Sequence, residues 1–383
     1  MPDSPDSTPI ERLIARLIRR ERIANSLAQE ARGRELELFR EIEALFRRID
    51  PTDPTRTRYR RDRTTKFIRE LDQKLREHSP EMQSWLKDRL AVIGRAEAVA
   101  AETELVASLG AVGERAVTRT PITQQRLRAI LNTDPFRGKT LREHTQRHSA
   151  NTLDRVRTQV RLGMVNEEGI PDIVRRIRGR QVRGAASGFR GGVLQTNTRD
   201  AEALVRTAVT HISNVGMLGT FRENPRVVTG VRYLAVLDDR TTEICLALDG
   251  RVWPLDSNDI VIPGDQTHYG CRSILVPEID YEGLGVDPPP EPDRIVRDLS
   301  TVEDDDLLRR VSARRRTGDF GDVTMIPSSM TADVWFREQR AAVQNRIVGR
   351  TRADAFRAGE IGSLRDLVRD DLSLIPLDEL LRN

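Results

Sequence analysis

The sequence predicts a mainly α-helical chain that carries a small, irregular α+β unit. Three observations lead to this class. Long segments place apolar residues three and four apart among charged ones, as at Ile10, Leu13, Ile14, Leu17 and Ile18, which is the period of an amphipathic helix. Charged residues make up 32% of the 383 residues and aromatic residues only 4%, a balance that suits surface-rich helices better than a large enzyme core. The texture changes at Pro225, after which short β-type runs alternate with turn residues as far as Ile274-Leu275-Val276. The expected architecture is an extended helical N-terminal region, a compact Cys/His-containing β-hairpin unit and a helical C-terminal region.

Composition narrows the class further. The formal net charge is +4 and the mean hydropathy is -0.51. No window approaches the ~20 apolar residues of a membrane span, so no membrane partner is expected. The start, Met1-Pro2-Asp3-Ser4-Pro5-Asp6, has neither a basic head nor an apolar run, unlike a secretory signal. A cytoplasmic setting is therefore expected. Lysine occurs only at Lys66, Lys74, Lys87 and Lys139, so arginine supplies nearly all the positive charge. Arginine grips phosphate and carboxylate in a planar fork, although a GC-rich genome produces the same bias. Two cysteines, Cys245 and Cys271, do not make a disulfide framework.

The N-terminal region spans residues 1–133. Residues 1–9 are rich in Pro, Ser and Asp and should fray. A helix follows, with a second apolar stripe at Leu38, Phe39, Ile42, Leu45, Phe46 and Ile49. Such a stripe needs a partner, either within this chain, as in an ordinary bundle, or on another chain, as in a docking helix. Pro51-Thr52-Asp53-Pro54 ends it. Two more helices are expected, from about Thr64 to His78 and from about Glu81 to Leu109, with Ser79-Pro80 between them. Pro121 opens a short helix to Leu131.

Residues 134–224 read as helical. A turn at Asp134-Pro135 leads to a helix from about Leu141 to Leu162, stopped by Gly163. A short helix follows over Ile170–Arg178, stopped by Gly179. Residues 180–198, with Gly184, Gly188, Gly191 and Gly192, read as a mobile loop, and Arg199 to Phe221 as a helix. The stretch 175–190 carries Arg175, Arg176, Arg178, Arg180, Arg183 and Arg190 with no acid among them. This is either a phosphate-tracking loop for double-stranded DNA or a solvated basic loop. The α+β unit occupies 225–286, with strand-like runs at Val227-Val228, Ala235-Val236-Leu237, Val252-Trp253 and Ile260-Val261-Ile262. A Pro-rich, charged linker spans 287–330, and helices return over 331–383.

The chemistry-bearing residues cluster in the α+β unit, in Asp239-Arg240-Thr241-Thr242-Glu243-Ile244-Cys245, Asp249-Gly250 and His268-Tyr269-Gly270-Cys271-Arg272. His-x-x-Cys sets two soft ligands on one turn, and Cys245 approaches from across a hairpin. Tetrahedral Zn²⁺ sites use this donor set, and a structural ion can replace a large core in a small unit. Such a site wants four ligands, and His211, Asp239 or a water are candidates for the fourth. The alternative is that both cysteines are small buried hydrophobes. Catalysis finds little support: there is no nucleophile elbow, no phosphate-cradling glycine loop and no recognisable group to orient a Cys/His pair. No enzyme activity and no small-molecule substrate are expected.

These segments, in this order, resemble the phage head morphogenesis proteins of the Mu-type minor head protein family. Pro135–Leu141 resembles the entry to the family's long helix, and Asp172–Gly179 its short basic helix. Leu204–Asn214, with Arg206 and Thr207, resembles its Arg-Thr helix. Arg240, Thr241, Cys245, Gly250, His268, Cys271 and Arg272 fall in its most characteristic segment. Trp335, Gln339, Gln344, Gly349, Arg352, Phe356, Gly359, Asp366, Leu367 and Val368 follow a pattern that closes many Mu-like members. The resemblance covers roughly residues 134 to 380. Departures occur at Pro263–His268, where many members carry Pro-Pro, and at Ser273, which replaces the last cysteine of a Cys-Arg-Cys. The second departure leaves the fourth-ligand role to His211 or Asp239. The resemblance implies a few-copy virion protein of the head or portal vertex, assembled in the host cytoplasm. It implies the portal protein and other head proteins as partners, and a part in head assembly, DNA packaging or DNA delivery.

Overall fold

The computed structural model describes residues 9–49, 57–119, 121–184, 188–289, 293–297, 323–327 and 330–380. The chain falls into two compact units, each assembled from separate stretches. The first comprises Met1–Ile23, Val92–Leu127 and Val209–Asn383, and the second Ala24–Ala91 and Arg128–Ala208. Helix α1 (Pro9–Ile49), helix α2 (Thr57–Leu109) and, later, helix α7 (Gly192–Arg222) each give a segment to both. The expected linker over 287–330 lies mostly outside the described residues.

The second unit is a helical bundle. Its core joins Leu38, Phe39, Ile42, Leu45 and Phe46 of α1 to Phe67, Leu71 and Leu75 of α2. The Phe46 and Phe67 ring centroids are 4.2 Å apart. The second apolar stripe of α1 is thus covered by this chain's own side chains, which decides for a bundle helix over a docking helix at that stripe. Helix α2 runs unbroken through Pro80, where two helices were expected. An internal proline costs about 3 kcal/mol. Leu75 on one side of it and Met82 and Leu86 on the other are all buried, and their packing outweighs that cost.

Between α2 and the bundle's next long helix come α3 (Gly113–Ala116), in the first unit, and α4 (Gln124–Thr133). Helix α5 (Leu141–Val165) starts at a capping box in which Thr140 Oγ1 accepts from Glu143 N and Glu143 Oε2 accepts from Thr140 N. Gly163 does not stop α5. A β-carbon there would lie 2.3 Å from Ile173 Cγ1, so the glycine admits the close approach of α6 (Ile170–Arg178). The stretch expected as a loop over 180–198 is partly ordered. Strand β1 (Arg180–Gln181) pairs antiparallel with β2 (Phe189–Arg190), and α7 begins at Gly192. In the first unit, α2 and α7 cross where a β-carbon on Gly216 would meet Gly94 O at 2.2 Å. Only glycine lets the two backbones come this close.

The first unit holds a three-stranded antiparallel sheet in the order β4-β3-β5, made by β3 (Val228–Leu234), β4 (Val252–Pro254) and β5 (Ile274–Ile279), with α8 (Glu243–Leu248) between β3 and β4. The central strand places Val231 opposite Trp253 and Tyr233 opposite Leu275. Ile260 and Val261 are buried but lie in a loop, not in the expected strand, and no strand among the described residues pairs with them. Strands β6 (Asp293–Arg297) and β7 (Val323–Pro327) form a separate antiparallel pair.

The C-terminal helices α9 (Ala332–Glu338), α10 (Ala341–Val348), α11 (Arg350–Ala358) and α12 (Leu377–Leu380) follow. Trp335, Phe336, Val343, Ile347 and Phe356 join the same core as the sheet. Phe336 and Phe356 meet edge to face with centroids 5.1 Å apart. Gln344 Nε2 donates to Phe336 O at 2.8 Å, and its own Oε1 accepts from Arg357 at 2.7 Å. The Trp-Gln-Phe pattern noted in the sequence is therefore a packing and hydrogen-bonding pattern of this core.

A candidate metal centre in the α+β unit

Three elements bring the site together. Helix α8 presents Cys245, the turn before β5 presents His268 and Cys271, and β3 passes beneath with Tyr233. The Cys245 and Cys271 Sγ atoms are 3.7 Å apart, and Cys245 Sγ is 3.1 Å from His268 Nε2. One ligand atom from each of Cys245, His268 and Cys271 lies within 4.8 Å of the others. Both thiols are buried. The His268 Nδ1 hydrogen is directed at Tyr269 O at 3.0 Å. A carbonyl can only accept, so this bond fixes the tautomer and turns Nε2 towards the sulfurs, as outer-shell partners do for metal-ligating histidines.

His211 and Asp239, the expected fourth ligands, do not join this group. Both are buried, His211 on α7 and Asp239 at the end of the Asp238-Asp239 pair. The residue that sequence reasoning missed is Tyr233. Its hydroxyl lies 3.2 Å from Cys245 Sγ and 3.7 Å from Cys271 Sγ. A tyrosine in an apolar strand reads as core, and nothing local marks its hydroxyl as facing two thiols.

The surroundings hold the turn rigidly. Arg272 donates both arms of its guanidinium to Asp238, Nη1 at 2.7 Å and Nη2 at 2.6 Å, in the bidentate geometry that arginine favours. Burial opposes ionisation of each partner, but the pairing prevails: the Asp238 carboxyl is held well below the usual range and the Arg272 guanidinium well above. Asp238 Oδ1 also accepts from Arg240 N at 2.9 Å and from Thr241 Oγ1 at 3.2 Å. Asp238 thereby gathers Arg240, Thr241 and Arg272 into one hydrogen-bonded group. Thr210 Oγ1 of α7 donates to Cys271 O at 2.6 Å, and Asn214 Oδ1 accepts from Leu275 N at 2.8 Å. Arg20 of α1 donates to Arg272 O. Gly250, at a positive φ of 78°, turns the chain into β4 and donates its N–H to Tyr233 O at 2.8 Å. Asp249 accepts from Ala235 N at 2.9 Å and from Ala332 N at 3.0 Å. Arg206 and Thr207 lie elsewhere, in the second unit. There Arg206 donates to Asn25 at 3.2 Å and Thr207 to Ala203 O at 2.6 Å.

The thiols differ electrostatically. Burial pushes Cys245 up, reinforced by the neighbouring Cys271. Burial pushes Cys271 the same way, but hydrogen bonds from Cys245 and His268 and the charge of His268 override it and hold this thiol well below its ordinary value. His268 is raised, burial being outweighed by Cys271. Two sulfurs in contact, with an imidazole nitrogen turned towards them, are a donor set that suits a cation preferring sulfur and nitrogen.

The basic stretch is less uniform than its composition suggests. Arg175 pairs with Asp172 at 3.0 Å, Arg176 with Glu168 at 2.7 Å and Arg178 with Glu43 at 3.1 Å. Arg178 also stacks over the Phe189 ring at 4.8 Å. Arg180, Arg183 and Arg190 are exposed, and none of the three has a carboxylate partner among the described residues. Arg180 and Arg190 sit directly opposite each other across the β1–β2 ladder.

Taken together, these features define a helical protein with an embedded Cys-His-Cys module, tied to Thr210 and Asn214 of α7 and sharing a core with the C-terminal helices. Residues 154–276 match the family described as phage Mu protein F like protein, so this segment of the chain is similar to that family. The matched segment runs from α5 to β5 and contains all three metal-competent residues. No curated protein and no solved structure matches the chain. Among the described residues, no helix is long and apolar enough to cross a membrane.

Proposed function

We propose that this protein is a minor component of a phage head, at the portal or the inner head surface, acting in head assembly, DNA packaging or DNA delivery. The match over residues 154–276 carries this reading. In it the protein works with other head proteins, the portal protein first among them, and the Cys-His-Cys module is a structural knob closed by zinc. Buried thiols favour structure over catalysis, since a nucleophile must reach its substrate and Cys245 and Cys271 are each 1% exposed. Zinc suits the donors: two sulfurs and one imidazole in a small module are the ligands of structural zinc sites. Quantitative mass spectrometry of purified precursor and mature heads tests the assignment. A few copies per head are expected, and absence from both kinds of head would overturn it.

A second reading has its own observation. Like charges directly opposite each other on a hairpin repel, and Arg180 faces Arg190 in this way. Such a pair is relieved by an anion, and the phosphate backbone of double-stranded DNA supplies one. In this reading the hairpin touches the packaged genome.

A further inference from the structure

We propose that the phenolic oxygen of Tyr233 is the fourth ligand of the cation held by Cys245, His268 and Cys271, an inference that rests on the zinc reading above. The first argument is geometric. With zinc bond lengths near 2.3 Å to sulfur and near 2.1 Å to nitrogen or oxygen, a tetrahedron places two sulfurs about 3.8 Å apart and a sulfur about 3.6 Å from either lighter atom. The two sulfurs here are 3.7 Å apart, and the Tyr233 hydroxyl is 3.2 Å and 3.7 Å from them. Cys245 Sγ to His268 Nε2 is 3.1 Å. The hydroxyl thus stands at ligand spacing from both sulfurs, where His211 and Asp239 do not reach.

The second argument is charge. Zn²⁺ with two thiolates and a neutral imidazole sums to zero, and a phenolate makes the complex singly negative. Arg20 is buried, and its guanidinium donates to the carbonyl of Arg272, the residue after Cys271. Its Nη1 finds no hydrogen-bond partner, and among the described residues it makes no ion pair with a carboxylate. Neighbouring Arg16 differs, pairing with Glu97 at 2.8 Å and with Glu104 at 2.6 Å. A buried guanidinium without a carboxylate in direct contact is costly, and a complex carrying one negative charge a residue away helps to offset it. Glu97 and Glu21 act on Arg20 only at a distance, and with water as the fourth ligand the neutral complex would add nothing to them.

Binding balances without any redox step. Four bonds form to the ion, from two sulfurs, one nitrogen and one oxygen. The two thiols and the phenol give up their hydrogens, so three protons pass to the buffer for each ion bound. Where Cys271 has already passed its proton to His268, the third proton leaves from the imidazolium instead. A nearby dication reverses the burial that otherwise keeps the phenol protonated.

The test uses the full-length protein stripped of metal and titrated with zinc at neutral pH. Difference absorbance reads phenolate formation, and calorimetry in buffers of differing ionisation enthalpy counts released protons. The expected result is a phenolate band that saturates at one equivalent, with three protons released. Tyr233→Phe should lose the band, release two protons and bind zinc on the order of tenfold or more weakly. Zinc binding by the unaltered protein with two protons and no phenolate band would overturn the Tyr233 assignment and leave the three-residue site standing. No zinc binding at all would overturn both. The wild-type spectrum needs no variant, so a folding defect in Tyr233→Phe does not obscure the result.

Discussion

Glu35 of α1 and His148 of α5 form a buried ion pair: His148 Nε2 donates to Glu35 Oε1 at 2.8 Å, and the carboxylate side chain has no exposed surface. His78 Nε2 of α2 stands 3.6 Å from the same oxygen. Burial opposes the charge on Glu35, but His148, and His78 with it, bring the carboxyl down to about 2 from its ordinary 4.5. Burial likewise opposes the charge on His148, and Glu35 overrides it to raise the imidazole above 6.5. The depressed carboxyl contributes stability above its unfolded value that is lost as pH falls from about 4.5 towards 2. The raised histidine contributes stability below about 6.5 that is lost as pH rises through its folded value. Urea denaturation across pH should therefore show this pair contributing most between these limits. In Glu35→Gln the loss above pH 6.5 should vanish, with stability lower by about 3 kcal/mol at the optimum. An unchanged pH profile in that variant would remove the pair from this account.

Breaking one side of the Asp238–Arg272 pair leaves a buried charge uncompensated. Asp238→Asn and Arg272→Met should each destabilise the protein by about 3–5 kcal/mol. The double variant should recover much of that loss, because it leaves neither charge behind. Equilibrium unfolding of the three variants measures the coupling, and strictly additive losses would contradict it.

The α2–α7 crossing tolerates no side chain at Gly216. Gly216→Val has to push the helices apart and should cost at least about 1–3 kcal/mol, seen as a lower thermal midpoint. Gly33, with nothing within 4 Å of an added β-carbon, is the control. Gly33→Ala should be neutral or stabilising by about 0.5–1 kcal/mol.

Chelation should loosen the first unit. If zinc closes the module, removing it with a strong chelator should lower the thermal midpoint by on the order of 5 °C or more, and adding zinc back should restore it. Cys245→Ser should bind less than about a tenth of an equivalent under conditions that load the unaltered protein. Full loading of that variant by elemental analysis would exclude Cys245 as a ligand.

The hairpin reading predicts a specific salt signature. If Arg180, Arg183 and Arg190 meet phosphates, their joint replacement by Gln should lower the salt slope of duplex binding by about 3. Replacing Arg175 and Arg176, which are held by Asp172 and Glu168, should change it little. Equal effects from the two sets would point to bulk charge.

The helices were legible wherever side-chain spacing carried the signal. Leu38, Phe39, Ile42, Leu45 and Phe46 sit three and four apart and bury together. Breakers misled wherever a long-range contact decided. Pro80 lies inside a helix because both flanks are packed, and Gly163 serves the approach of Ile173 rather than an end. At the site, Cys245, His268 and Cys271 were legible because soft ligands are rare in this chain. Tyr233, Asp238, Thr210 and Arg20 were not, because their roles depend on partners 12 to 252 positions away. His211 and Asp239 were plausible by residue type alone, and the fold sets them outside the cluster.

The nesting of the two units has a consequence for synthesis. Residues 24–208 form one unit interrupted only by residues 92–127, so its last segment leaves the ribosome well before the chain is finished. The other unit draws on both termini, and Arg20 must wait for Arg272 before it finds its carbonyl. Contacts so distant along the chain close slowly, so the Cys-His-Cys module should be among the last parts to mature. A nascent chain would then hold its thiols open for longest, and, if zinc closes the module, the metal available late in synthesis and after it would set the yield of correctly closed protein.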